Sequence, residues 1–227
     1  SNVKYDEKVT TKTSTSLKSD VLTTITNYNT NTLSQFDGVF RYSKLSSLID
    51  ATDTSILSNI TTLKIRKDFT PTLGSSTKYN VYFRNALYNP HSGHNSSAGG
   101  ILESSGFKIS GDSSTVFYLD DDGQGNVRRY SFSGATRVYA NETQGTIDYS
   151  TGAITINSLS VLSVENIRGS VSTKIELTVK PDSNDVTPVR DQIIEIDTAN
   201  SSITVSPDTF VGGSADAGVG YTTTSSY

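Results

Sequence analysis

Apolar and polar residues alternate over residues 146–156, T-I-D-Y-S-T-G-A-I-T-I. Ile147 and Tyr149 lie on one arm, Ile154 and Ile156 on the other, and Ser-Thr-Gly stands between them. Period-two alternation around such a turn predicts a β-hairpin. Short segments of the same character recur on both sides. Residues 106–110, 116–120, 127–132 and 173–179 read as strands, and residues 202–205 as one more. In 186–196 the last part alternates and predicts a further strand. Turn signals separate these runs every eight to twelve residues, as in a β-rich fold.

The first third has a different period. Val21, Leu22, Ile25, Tyr28 and Leu33 recur near helical spacing behind Ser19 and Asp20, which are candidate N-caps. Leu45, Leu48 and Ile49 mark a second helix over 42–51. From Ile56 the pattern suits a long strand through Ile60, Leu63, Ile65 and Phe69 that ends at Pro71, with Tyr79, Val81, Phe83 and Ala86 on a partner strand. The expected fold class is α+β, predominantly antiparallel β, with one or two helices in the first third. Residues 1–18 read as a polar lead-in or linker. Residues 19–90 and 170–205 are expected to form a discontinuous α+β domain around an inserted β-hairpin unit at 91–169. Residues 206–227 form a Gly/Ser/Thr-rich tail.

Composition makes the core lean. Of 227 residues, 33% are hydrophobic, with 8 Phe, 12 Tyr and no Trp. Charged residues are 19% and the net charge is −4. Such a field disfavours a phosphate-backbone binder, so no nucleic-acid partner is expected. No apolar run approaches the length of a membrane span, so no membrane partner is expected either. With no cysteine, disulfides, thiolate metal sites and cysteine nucleophiles are excluded. Methionine is absent even at position 1. The expectation is an excised fragment of something longer, with Ser1 and Asn2 a possible protease remnant.

The candidate chemistry is sparse. His91 and His94, in P-H-S-G-H-N, are three apart, but no carboxylate adjoins them and Glu103 is the nearest acid downstream. They are expected to lie in a solvated loop. Asp120, Asp121 and Asp122 precede Gly123 without the alternating acids of a calcium loop, and a hairpin turn accounts for them. The expected metal and cofactor content is therefore none. Arg128 and Arg129 read as a basic pair guarding a sheet edge. There is no G-x-S-x-G elbow and no phosphate loop, and Glu142, Asp148, Glu165, Glu176, Asp191 and Glu195 are scattered. No catalytic residues are assigned and the chain is expected not to be an enzyme.

Several segments together resemble one family. They are D-V-L-T-T-I-T-N-Y-N and the run from Leu33 to Asn59, with F-R-Y-S-K-L at 40–45, V-Y-F-R-N-A-L at 81–87, the G-T-I-D-Y-S-T-G hairpin and V-R-D-Q-I at 189–193. In order and spacing, over roughly 19–205, they are similar to the carboxy-terminal part of the baseplate wedge ring protein of contractile-tailed bacteriophages, which is related to the J-like baseplate family. The resemblance implies a structural subunit of the virion, assembled in the host cytoplasm. It would hold neighbouring wedges together and help couple baseplate rearrangement to sheath contraction. Its implied partners are itself, as a dimer within a ring, and other wedge proteins. The expected subunit interface is Tyr28, Leu33, Phe36, Phe40 and Tyr42, large groups crowded into fifteen residues of a lean chain. The competing reading is a tail-fibre or adhesin β-module that binds a host-surface saccharide through Tyr-bearing loops. A fibre would show short repeats or a trimerising heptad, and neither is present.

Overall fold

The computed structural model describes residues 1–94, 100–189 and 192–208. The chain divides into two units, one of Ser1–Thr62 with the C-terminal segment from residue 190, the other Leu63–Val189. Both helices belong to the first unit and most strands to the second, so the fold is α+β with antiparallel pairing dominant.

The first unit begins with β1 (Asn2–Tyr5). Its Val3 and Tyr5 are buried. It pairs antiparallel with β2 (Ile56–Ile60) and parallel with β13 (Thr204–Pro207), in register Val3↔Asn59 and Val3↔Val205. Residues 1–18 are thus not a lead-in: two apolar side chains two positions apart suffice to seat a four-residue strand between two others. Helix α1 (Ser14–Tyr28) starts earlier than Ser19 and Asp20 predict. Thr13 is the N-cap and accepts from the Ser16 N–H at 3.2 Å. Leu17, Val21, Ile25 and Tyr28 are buried and share one face, so burial of Leu17 extends the helix through a Ser/Thr stretch of poor propensity. A π-helical turn, Asn29–Leu33, continues it, and the Asn29 side chain accepts from the Ile196 N–H at 2.7 Å. Helix α2 (Tyr42–Asp50) buries Leu45 and Ile49 of its expected face, while Leu48 is exposed.

The long strand expected from Ile56 to Phe69 is two strands in two units. β3 (Ile65–Phe69) pairs with β12 (Ile175–Val179), which also pairs with β5 (Glu103–Ser104). The supposed ribbon partner, β4 (Thr77–Tyr82), pairs instead with β10 (Ala153–Leu159). Period-two alternation fixes which face a residue takes but not its partner strand.

A seven-stranded sheet fills the second unit. It adds β6 (Phe107–Ile109), β7 (Asp112–Asp121), β8 (Asn126–Ser133), β9 (Thr136–Asp148) and β11 (Val161–Val164), in the order β11-β6-β7-β8-β9-β10-β4. The hairpin at 146–156 is present, with Ile154 opposite Ile147 and Gly152 at φ +67° closing the turn. Residues 63–90 and 170–189 therefore group with the central strands rather than with the helices. The core joins Phe107, Leu119, Val127, Ile147, Ile154 and Ile156 to Ile175, Leu177 and Val179 of the smaller sheet. The alternation in 192–197 forms no strand. Of the expected tail, 209–227 lies outside the described residues, as do 190 and 191 within V-R-D-Q-I.

Candidate functional site

Four of the five expected interface residues sit around the turn between α1 and α2, and Tyr42 opens α2. Tyr28, Leu33 and Phe40 are buried inside the first unit itself. The Tyr28 and Phe40 rings meet edge to face at 6.1 Å, and the Tyr28 hydroxyl accepts from the Arg41 N–H at 3.1 Å. Tyr42 is half-buried. Phe36 alone is largely solvent-facing, 73% exposed. The loop that presents it is tightly built. Gln35 bonds back to Leu33, Asp37 has φ +60°, and a Cβ on Gly38 would stand 2.5 Å from the Leu33 carbonyl oxygen. Phe36 is thus held out from a constrained loop rather than swinging on a loose one.

Sequence reasoning missed two further exposed apolar groups of this unit. Leu57 (48% exposed) and Ile60 (71%) lie on β2, a strand at the margin of its sheet with no charged residue. The signal was available: I-L-S-N-I carries three large apolar groups in five positions, more than one buried face uses.

The first unit is also tied by charge. Lys12 Nζ contacts Asp20 at 2.9 Å and Asp53 at 2.8 Å. Hydrogen bonds from Lys12 and from the Ser55 hydroxyl and N–H hold the Asp53 carboxyl down at about 2, and Lys12 in turn is raised to about 12.

In the second unit the acidic run resolves into three separate tasks. Asp120 is buried between two arginines, Arg128 Nε at 2.9 Å and Arg137 at 2.7 Å, and accepts from the Tyr139 hydroxyl at 2.9 Å. Burial raises its carboxyl, opposed by Tyr139 and the arginines. Arg128 also lies over the Tyr139 ring at 4.2 Å and bonds the Asp121 carbonyl. Strand β8 is flanked by β7 and β9, so Arg128 and Arg129 guard no edge. Asp121 is fully buried and takes the N–H groups of Ile101 and Leu102 at 2.6 and 2.8 Å, that of Gly123 at 3.3 Å, and the Tyr149 hydroxyl at 2.6 Å. Burial, then Asp121, pushes the Tyr149 phenol well up. Asp122 shapes the hairpin turn, accepting from the N–H groups of Gln124 and Asn126. These carboxylates meet the protein's own donors, which is the arrangement of a structural network.

His91 and His94 contact each other, ring nitrogens 3.0 Å apart. Among the described residues, no three His, Cys, Asp or Glu converge as a metal site. Of the scattered acids, Glu165 and Glu176 line one groove with Glu103, each with a basic partner, while Glu142, Asp148 and Glu195 do not line it, and Asp191 lies outside the described residues. Asp148 caps its own turn, held at about 2 by the Ser150 and Thr151 hydroxyls.

No curated protein matches the chain. Residues 1–68, which carry β1, α1, α2 and β2 and end within β3, match the family described as baseplate structural protein gp6, C-terminal domain III.

Proposed function

We propose that this protein is a structural subunit of a phage tail baseplate. It is a wedge component that holds neighbouring wedges together and takes part in coupling baseplate rearrangement to sheath contraction. The family match over residues 1–68 carries this reading. The geometry supports it, because the polar clusters are consumed in holding turns and strands, and the matched segment carries the exposed Phe36, Leu57 and Ile60. Its partners are a second copy of the chain and other baseplate proteins. Its place is the virion tail, reached by assembly in the host cytoplasm.

Within this reading the contact to a second copy is centred on Phe36, since Tyr28, Leu33 and Phe40 are spent on the unit's own core. A large aromatic held on a tight loop is suited to be an anchor at low entropic cost. Light scattering of the chain over a wide concentration range tests it. A concentration-dependent dimer, weakened in Phe36→Asp with an unchanged melting temperature, is the expected result. A monomer at every concentration, or a variant that associates as the parent does, contradicts it.

A further inference from the structure

The second unit carries a groove of about 450 Å³ that the assembly reading does not use. Its walls are β5, β7 and β12 and the loop that follows β11. We propose that this groove binds a neutral oligosaccharide, with Tyr118 as the platform for a sugar face and Arg168 and Asn166 as hydroxyl-binding groups.

Arg168 is the most telling residue. It and Gly169 are the two central residues of a tight turn in which Ile167 and Ser170 exchange both backbone hydrogen bonds at 2.9 Å. Both have positive φ, +52° and +81°. Such a turn favours Asn-Gly, and a long side chain at the first position is strained. The turn itself does not call for an arginine. Its guanidinium meets both Glu176 carboxylate oxygens at 3.0 and 3.3 Å, a carboxylate that Arg66 already neutralises at 3.3 Å. Arg168 is still about half exposed on the groove, where a planar, multi-donor group can serve a ligand.

Tyr118 supplies the apolar component. Its ring stacks on Tyr130 at 5.7 Å and meets the Phe132 edge at 5.4 Å, so its position is fixed before any ligand arrives. Charge decides the ligand class. Each carboxylate of the groove is matched: Glu103 by Lys64 at 2.6 Å, Glu165 by Lys108 at 3.5 Å, Glu176 by the two arginines. A balanced wall neither attracts an anion nor a cation strongly, and rewards a hydroxyl-rich neutral molecule. Few apolar groups line it, which disfavours a protein segment needing a buried anchor.

Saturation-transfer NMR on the whole chain tests this. The probes are short β-glucan and chitin oligosaccharides, with sulfated dextran as the charged comparator. At least one neutral series should bind near millimolar, weakened roughly tenfold or more in Tyr118→Ala and in Arg168→Asn. Tyr82→Ala, an exposed tyrosine on β4, should bind as the parent does. Arg168→Asn should melt no lower than the parent, because Asn is at ease with positive φ. Four results overturn the proposal: no transfer to either neutral series, transfer to sulfated dextran only, undiminished binding by both variants, or a fall of several degrees in the melting temperature of Arg168→Asn. Loss of self-association in Arg168→Asn would assign the groove to a protein contact instead. Failure here leaves the Phe36 contact untouched, since the two are read by separate variants.

Discussion

Asp121 concentrates more constraint than any other single side chain described here. Four donors converge on one buried carboxylate, and a Cβ on Gly100 would collide with it. Removing a buried acceptor strands its donors at about 1–3 kcal/mol each when they cannot find water. Asp121→Ala should therefore cost about 4 kcal/mol in urea unfolding. An exposed substitution such as Lys78→Ala should stay within about 0.5 kcal/mol. Three other carboxylates make a different prediction. Asp53, Asp112 and Asp148 have folded-state values of about 2 against an ordinary 3.8. Lys12 accounts first for Asp53, the Thr115 N–H for Asp112, and the Ser150 hydroxyl for Asp148. A depressed carboxyl contributes stability above its unfolded value and loses it as pH falls through the folded one. Stability should thus fall between about pH 4 and pH 2. Asp148 is exposed and Asp53 and Asp112 lie at the surface only partly covered, so solvent screening keeps each effect small. Asp148→Asn should flatten the acid limb of a melting-temperature profile. An unchanged limb would show that the turn hydroxyls do not hold that carboxylate.

At the scale of elements, most strands with a clean alternation were legible, and outside local hairpins their partners were not. The 146–156 hairpin could be read because turn chemistry and period-two patterning agree locally. β1 could not, since Val3 and Tyr5 are a two-residue signal inside a polar stretch and their burial depends on strands far away in sequence. The same holds for β3 and β4, whose facing alternation suggested a ribbon while β12 and β10 took them. The start of α1 was hidden by Ser and Thr, whose weak propensity the burial of Leu17 overrides. Of the candidate site, Phe36 was legible as a surplus apolar group. The burial of its neighbours was not, because helical spacing does not say which side a connecting loop presents. Leu17→Ala should cost about 3 kcal/mol by guanidinium unfolding, the range for a fully buried leucine. Leu22→Ala, on the outer side of the same helix at 38% exposure, should cost well under half of that. Equal costs would mean that α1 does not pack through the face assigned to it.

At the scale of the whole molecule, the chain divides into two units that carry different features. The first carries the baseplate family match and the exposed Phe36, Leu57 and Ile60. The second is a β-structure braced by buried carboxylates and carries the groove. The central claim is that the chain is built into the tail baseplate as a structural part. Gold-labelled antibodies raised against the purified chain, applied to tail particles of the phage that encodes it and viewed by negative-stain electron microscopy, test this most directly. The account predicts gold clustered at the baseplate. Labelling confined to the fibres, or tails that carry no label while the free protein is recognised, would contradict it.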